Sequence, residues 1–203
     1  IFRKVNKWNA FKLIYFRSKI MIIAVIPAKG GSKRLPNKNM SMLNGQPMIN
    51  YAIDYVKKSK VIEKVYVSTD SDAIEEHCSK LGLNVIRRPV SLGGETPIIE
   101  VYKHALNNIP NNDMVNILVG IQPDHPDRNI KIDDAIDLFI ANKADRLIST
   151  EKDSTKNGAH YILSKSFLAS GVSKKDHIVI DDCTNVHFES DLKKASVRLK
   201  NKC

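Results

Sequence analysis

The chain alternates short apolar runs with longer amphipathic stretches. Residues 22–27 (IIAVIP) form a continuous apolar run, which is typical of a strand buried on both faces. Three later runs have the same character: 64–68 (KVYVS), 84–87 (NVIR) and 114–121 (MVNILVGI). The stretches between them have the period of amphipathic helices: 48–59, 72–81 and 97–108. Strands separated by helices of this length predict parallel pairing through right-handed crossovers.

The pattern continues less regularly after residue 130. The elements predicted there are a helix at 131–142, a strand at 146–150, a polar loop at 151–158, strands at 159–163 and 177–181, and a closing helix at 189–200. No internal repeat or linker interrupts the chain. Residues 21–203 are therefore expected to form a single domain, an α/β fold with a doubly wound, mostly parallel sheet.

The first twenty residues differ in composition from the rest. Residues 1–20 contain six Lys or Arg, five aromatic residues and no acid, so most of the net charge of +10 lies there. One interpretation is a basic amphipathic helix resting on an anionic membrane. The favoured interpretation is an upstream extension, because position 1 is not Met and Met21 directly precedes the first strand. We therefore expect residues 1–20 to lie outside the core.

The composition narrows the class of protein. A hydrophobic content of 42% and a charged content of 27% are typical of a soluble globular protein, and no apolar stretch is long enough for stable membrane insertion. Since the excess charge sits in the leader, no nucleic-acid partner is expected. The three cysteines have no zinc or redox spacing, which favours a reducing cytoplasm; they are Cys78, Cys183 and Cys203.

The loop after the first strand concentrates positive charge. Residues 28–39 (AKGGSKRLPNKN) contain no acid and four cations: Lys29, Lys33, Arg34 and Lys38. Gly30 and Gly31 let backbone amides approach a ligand closely. The loop matches neither the dinucleotide fingerprint nor the GxxxxGK[ST] phosphate loop, and GGSK alone could be a solvated turn. Its position after a buried strand favours phosphate binding.

Polar residues follow the other strands as well. The segments are STDSD after the second strand, RRP after the third and QPDHPDR after the fourth. Ligands of open α/β sheets bind at these carboxyl ends. Asp70 either meets a ligand or simply favours a helix N-terminus. Arg87 and Arg88 are adjacent in an extended segment, so only one is expected to face the ligand.

These motifs together resemble a known family. The run IPAKGGSKRLPNKN, followed by GQPMINYAID (45–54), VYVSTDSDAI (65–74) and RRP (87–89), resembles the acylneuraminate cytidylyltransferases and the related 3-deoxy-manno-octulosonate cytidylyltransferases. The resemblance covers residues 21–128. It implies a nucleotide-diphospho-sugar transferase fold of the glycosyltransferase-A type, with CTP as substrate and Mg²⁺ as cofactor.

The resemblance also implies roles for individual residues. The catalytic residues would be Lys29, Lys33 and Asp124. Of these, Lys29 stands where the family has arginine. The nucleotide-binding residues would be Gly30, Gly31, Ser32, Arg34, Lys38, Asn39, Asp70, Arg88 and Gln122. In the NGA motif, Asn157 and Gly158 would line the sugar pocket.

The implied metal site departs from the family's pattern. Asp124 stands where the octulosonate enzymes have a metal-binding aspartate, and carboxylate oxygen is the ligand that Mg²⁺ prefers. In the later segment NVHFESDL, Asn185 and His187 occupy the positions of the second metal ligands, where the family has carboxylates. His125 and Asp127, beside Asp124, are expected to be surface residues, Asp127 alternatively as a helix cap.

The resemblance implies CTP-dependent activation of an acidic 2-keto sugar, with CTP and the sugar as partners and a possible homodimer. Two alternatives stay open. The NVH segment also resembles guanylyltransferases, so another nucleotide and a sugar phosphate could react. The missing carboxylates at 185 and 187 would also suit a nucleotide-binding homologue that has lost turnover.

Overall fold

The computed structural model describes residues 20–94 and 96–202, so the predicted leader lies outside the described residues except for Ile20. The strands are β1 (Met21–Ala28), β2 (Met42–Leu43), β3 (Gln46–Pro47), β4 (Lys64–Thr69), β5 (Asn84–Arg87), β6 (Val115–Gly120), β7 (Arg146–Thr150), β8 (Lys156–Ser164) and β9 (Asp176–Ile180). The helices are α1 (Met48–Lys57), α2 (Asp72–Lys80), α3 (Ile98–Asn107), α4 (Ile132–Ala141), α5 (Lys165–Ser170) and α6 (Glu189–Lys200).

Seven strands form one mostly parallel sheet in the order β5-β4-β1-β6-β8-β7-β9. The first four strands of this order are parallel to one another. β8 is antiparallel to both of its neighbours, and β9 pairs in parallel with β7. The predicted doubly wound α/β fold is confirmed, with β8 as the one reversed strand.

Helices cover both faces of the sheet. Alternate residues of β1 point to opposite faces: Ile22, Ala24 and Ile26 pack with α1, α2 and α4, whereas Ile23 and Val25 pack with α3 and α5. Because both sets are buried, β1 needs apolar residues at every position. The continuous run IIAVIP is therefore the sequence of a central strand.

The structure adds two elements that the periodicity did not predict. A two-stranded hairpin joins β2 to β3 through Asn44 and Gly45, which have φ angles of 46° and 88°. Asn-Gly suits such a turn because both residues tolerate positive φ. Strands of two residues are too short for a periodic signal. The helix α5 was not predicted either, because six residues are also too few for a periodic signal.

The sheet brings the carboxyl ends of β1, β4, β5 and β6 to one edge, because these strands are parallel. The polar segments that follow them therefore meet there.

Within the described ranges, no helix combines the length and apolarity needed to cross a bilayer.

Close packing at the end of β6 gives a test of the fold. A Cβ added at Gly120 would lie 2.2 Å from Cζ of Tyr102, a fully buried ring on α3. We expect Gly120→Ala to lower the free energy of unfolding by about 1–3 kcal/mol or more. Gly31→Ala is the control, since no atom lies within 4 Å of its added Cβ. Urea unfolding followed by circular dichroism measures both; equal midpoints would contradict the packing.

Candidate active site

A cleft of about 240 Å³ opens at the carboxyl ends of the parallel strands. Eight residues singled out from the sequence line it: Lys29, Arg34, Lys38, Asn39, Arg88, Gln122, Asp124 and His187. The loop after β5 completes the wall with Leu92, Gly93, Gly94 and Thr96. Sequence reasoning missed this loop, although the Gly93–Gly94 pair after a strand was a usable signal. Among the described residues, the lining of the cleft is rich in cations and includes one carboxylate, that of Asp124.

A buried ion pair forms the floor of the cleft. Lys38 Nζ lies 2.7 Å from Asp124 Oδ2 and donates a second hydrogen bond, of 2.9 Å, to the carbonyl of Val186. The two side chains are only 9% and 15% exposed. Val186 in turn donates its backbone N–H to the carbonyl of Asp124. Lys38 thereby joins the loop after β1, the loop after β6 and the segment before α6.

The surroundings of Asp124 keep it ionised. Burial by itself raises the pKa of the carboxyl, but His125 and Lys38 outweigh burial and hold the pKa well below its usual range. His125 Nδ1 lies 3.0 Å from Asp124 Oδ1, without hydrogen-bond alignment. His125 is fully buried, so the expectation of a surface histidine was wrong. The loop turns the imidazole inward beside the carboxylate.

Asp70 holds the glycine loop, residues 28–39, through the backbone of Gly30. Its Oδ1 accepts a 2.8 Å hydrogen bond from Gly30 N and lies 3.7 Å from Nη2 of Arg88. Arg88 is 4% exposed, and burial lowers the pKa of its guanidinium, an effect that Asp70 opposes. Arg87 lies on the surface and pairs with acids of α2. Arg88 lines the cleft and Arg87 is exposed, as alternation in an extended segment predicts; a ligand contact for Arg88 stays a prediction.

Several buried polar atoms around the cleft have no hydrogen-bond partner among the described residues. They are Asn39 Oδ1, Arg88 Nε, Asp124 Oδ1 and Asn185 Oδ1. A buried polar group without a partner costs about 1–3 kcal/mol, and native proteins keep few of them. Their concentration beside one cleft is what a site for a polar, charged ligand requires.

Other residues of the glycine loop lie outside the cleft lining. Gly31, Ser32 and Lys33 are on the same loop but do not line the cleft, and Lys33 is exposed. Their contacts with a nucleotide stay predictions.

The residues predicted to bind the sugar lie on β8. Asn157 is 4% exposed, accepts from Ser149 Oγ and Ala159 N, and donates to the carbonyl of Asp181. The side-chain amide of Asn157 therefore makes its hydrogen bonds to other residues of the fold. Gly158 has a φ of 77°, and a Cβ there would lie 3.0 Å from the side-chain nitrogen of Gln122. The glycine lets Gln122 lie against β8; a sugar contact for either residue stays a prediction.

Asp127 holds the loop after β6 against the segment before α6. Its Oδ1 accepts from Thr184 N at 2.7 Å, and its Oδ2 accepts from Thr184 Oγ1 at 2.8 Å and from Arg198 Nε at 2.7 Å. At 1% exposure it is neither a surface acid nor a helix cap, so that expectation was wrong. Lys202, after α6, donates to the carbonyls of Asp127 and Arg128.

Arg128 holds the loop after β6 together from its buried side. Its guanidinium donates to the carbonyls of Gln122, His125 and Ala159. Since these bonds span the loop, they fix the backbone on both sides of Asp124. Neither Asp127 nor Arg128 carries a local sequence signal for this role, because every partner outside the loop is distant in sequence.

The residues at the floor suit a divalent cation held jointly with a substrate. The described residues contain no group of three or more His, Cys, Asp or Glu side chains that could hold a metal by themselves. Asp124 Oδ1 and Asn185 Oδ1 are buried oxygens without hydrogen-bond partners. Burial lowers the pKa of His187, which favours the neutral imidazole, and Arg34 and Lys38 add to this effect. Mg²⁺ commonly uses one or two carboxylates plus substrate phosphates.

The protein is an α/β protein with a mostly parallel sheet and a cation-rich cleft at its strand ends, where such folds bind ligands and where the charge suits an anion. A family model described as cytidylyltransferase matches residues 23–164 of the chain. The chain belongs to this cytidylyltransferase family.

Curated relatives share part of the chain. It is 39% identical over 101 residues to 3-deoxy-manno-octulosonate cytidylyltransferase 2 of Hydrogenovibrio crunogenus, over 50% of this chain and 39% of that protein. It is 32% identical over 130 residues to N-acylneuraminate cytidylyltransferase of Streptococcus agalactiae, over 63% of this chain and 31% of that protein. The chain spans well under half the length of these relatives.

Solved structures have the same fold. A CMP:2-keto-3-deoxy-manno-octonic acid synthetase complexed with CTP has a TM-score of 0.73 at 14% identity, over 90% of this chain and 100% of that one. A cytidylyltransferase from Leptospira borgpetersenii has a TM-score of 0.59 at 27% identity, over 74% and 63%. Rv0371C of Mycobacterium tuberculosis, in complex with manganese, has a TM-score of 0.64 at 10% identity, over 87% and 98%. The fold is that of the nucleotide-diphospho-sugar transferases.

The Asp127 network predicts a measurable stability effect. Asp127→Asn removes the charge that pairs with Arg198 while keeping the size of the side chain. We expect a loss of about 1–3 kcal/mol in the free energy of unfolding, because the partly buried guanidinium loses its nearest carboxylate and keeps only the contacts with Asp182. Glu76→Gln is the control, since it breaks the exposed pair with Lys80 and costs about 0.5 kcal/mol or less. Chemical denaturation compares them, and similar losses would contradict the role of Asp127.

Proposed function

We propose that residues 21–203 form a single nucleotidyltransferase domain that transfers CMP from CTP to an acidic 2-keto sugar and releases pyrophosphate. The observation that carries the proposal is the cleft, which is lined by Lys29, Arg34, Lys38 and Arg88 together with the buried carboxylate of Asp124. A nucleoside triphosphate needs such a concentration of positive charge. Membership of the cytidylyltransferase family favours CTP over other nucleotides.

In the proposed reaction, the anomeric hydroxyl of the sugar attacks the α-phosphorus of CTP in line. A new C–O–P linkage forms, and the bond between the α-phosphorus and the oxygen that bridges it to the β-phosphorus breaks. That oxygen leaves on pyrophosphate, and the proton of the attacking hydroxyl passes to water. Phosphoryl-type transfer needs alignment and charge neutralisation more than covalent help from the protein. Lys29, Lys33 and Arg34 neutralise the triphosphate in this scheme. Arg88 and the backbone amides of the glycine loop orient it.

Lys38 has a double role in this proposal. It keeps Asp124 ionised and fixed, and its ammonium adds positive charge at the floor of the cleft. Asn39 and Gln122 are positioned to orient the base, the ribose or a phosphate, since both line the cleft.

We further propose that Mg²⁺ is the cofactor, held by Asp124, Asn185 and His187 together with phosphate oxygens of the nucleotide. When bound, it supplies charge neutralisation at the phosphates. The support is Asp124 Oδ1 and Asn185 Oδ1, two buried oxygens that accept no hydrogen bond from the described residues. The manganese of the structurally similar Rv0371C suggests the same type of ion. The buried free thiols of Cys78 and Cys183 suit a reducing cytoplasm, which is the location that we propose.

One observation favours a second candidate function. Asp124 is already paired with Lys38, and residues 185 and 187 offer neutral donors in place of carboxylates, which hold a hard cation less strongly. A protein that binds CTP without turnover would fit these features.

A nucleotide and sugar panel separates the candidates. We expect pyrophosphate release from CTP with N-acetylneuraminate or 3-deoxy-manno-octulosonate in the presence of Mg²⁺, at least about ten-fold faster than from UTP, GTP or ATP. Thermal stabilisation by CTP without pyrophosphate release would support the binding protein. Faster release from GTP with a sugar phosphate would overturn the assignment to acidic sugars.

Two variants test the floor of the cleft. Asp124→Asn and Lys38→Met should each lower the rate of pyrophosphate release by about 100-fold, because each removes a fixed charge beside the phosphates. Asp72→Asn is the matched control, since Asp72 is exposed and its ion pair among the described residues is with Arg87 on the surface. Circular dichroism checks that the variants are folded. Full activity in both floor variants would refute their roles.

A further inference from the structure

The helix α6 has an aromatic residue at its N-cap. Phe188 occupies this position, with φ and ψ angles of −129° and 169°. Ser, Thr, Asp and Asn are preferred at an N-cap, because their oxygens accept an N–H of the first turn, whereas a phenyl ring has no such acceptor. The ring is also 52% exposed, although a polar residue there would cap the helix better. Residues that break a local rule in this way are expected at functional sites.

The backbone around Phe188 is held in place by two sets of contacts. Asp191 Oδ2 accepts the backbone N–H groups of His187 and Phe188, each at 2.8 Å. The carbonyl of Val186, two residues upstream, accepts the hydrogen bond from Lys38 at the floor of the cleft. The ring of Phe188 therefore extends from a segment that is fixed to the cleft.

The ring of Phe188 contacts Arg34 of the glycine loop. Arg34 Cζ lies 5.9 Å from the centroid of the ring, which is within the range of a cation–π contact. Arg34 is exposed and lines the cleft, whereas Phe188 does not line it. No hydrogen bond or ion pair joins the guanidinium to another described residue. The contact with Phe188 is therefore what restrains this guanidinium at the rim of the cleft.

A contact with an aromatic ring leaves the hydrogen-bond donors of an arginine free. The guanidinium is planar and stacks through its face, while its five N–H donors point outward in its plane. A phosphate group can accept two of these donors without displacing the ring. A ring that already restrains the side chain also reduces the rotamer freedom that Arg34 would lose when an anion binds.

We propose that Phe188 is a positioning residue, whose ring holds the guanidinium of Arg34 at the rim of the cleft so that it binds phosphate oxygens of the nucleotide. The Arg34–Phe188 contact joins the glycine loop to the segment before α6 at the exposed rim, as Lys38 joins them at the buried floor. This inference rests on the proposed nucleotide function.

Calorimetric titration with CTP tests the role of the ring. Arg34→Met should weaken CTP binding at least about ten-fold, because a charge-assisted contact with phosphate is lost. Phe188→Ala should weaken it about two- to five-fold, which is the effect of losing a cation–π contact at an exposed site. Phe188→Trp keeps an aromatic face and should bind CTP at least as tightly as the unchanged chain. When Arg34→Met is already present, Phe188→Ala should have no further effect, since the ring acts through Arg34.

Phe188→Ser separates the positioning role from helix stability. It removes the ring but supplies a capping oxygen, so it should unfold at a higher urea concentration than Phe188→Ala. Both variants should nevertheless show the same two- to five-fold loss of CTP affinity. An affinity that follows the stability of the two variants would indicate a merely structural residue and would overturn the proposal. Val197→Ala is the control, since Val197 is an exposed apolar residue of the same helix, and it should leave CTP affinity unchanged.

The titration distinguishes failure of this inference from failure of the proposed function. If the unchanged chain does not bind CTP, the nucleotide function is wrong and the positioning role is overturned with it. If the chain binds CTP but Phe188→Ala has no effect, only the positioning role is overturned. The same holds if Phe188→Ala weakens binding equally with and without Arg34, because the ring would then act on the ligand directly.

Discussion

The arrangement of the site depends on the ion pair between Lys38 and Asp124. It is largely withdrawn from water, so each charge needs the other, and removing one partner of such a pair costs about 3–5 kcal/mol. Lys38 also binds the carbonyl of Val186, so the pair joins three segments that are far apart in sequence. The same contact that stabilises the fold therefore fixes the position of the carboxylate at the floor of the cleft.

The parallel sheet explains why the other charges gather there. β1, β4, β5 and β6 all end at one edge, and each is followed by a polar loop. Asp70 joins two of these loops, because it accepts the amide of Gly30 and faces Arg88. Lys38 and Arg88 are thus held by contacts with carboxylates, and Lys38 also by a backbone carbonyl, which reduces the entropy that binding would otherwise cost.

The sequence predicted the sheet well because central strands such as β1 must be apolar throughout and their helices keep a regular period. Loop position and charge also led to the prediction of eight residues that line the cleft. The sequence could not predict the burial of His125 and Asp127, or the internal role of Asn157. The positions of Asp127 and Asn157 depend on partners such as Arg198 and Asp181, which are distant in sequence and leave no local pattern. His125 is buried beside its sequence neighbour Asp124, and the polar composition of the loop gives no sign of that burial.

The contacts of Arg198 and Lys202 with the loop after β6 have a consequence for folding during synthesis. A nascent chain that has emerged only as far as β8 already contains both members of the Lys38–Asp124 pair. It still lacks Arg198, so the carboxylate of Asp127 has no ion pair with Arg198 until α6 leaves the ribosome. The cleft can thus reach its final shape only after α6 has been translated, although most of its residues are translated earlier.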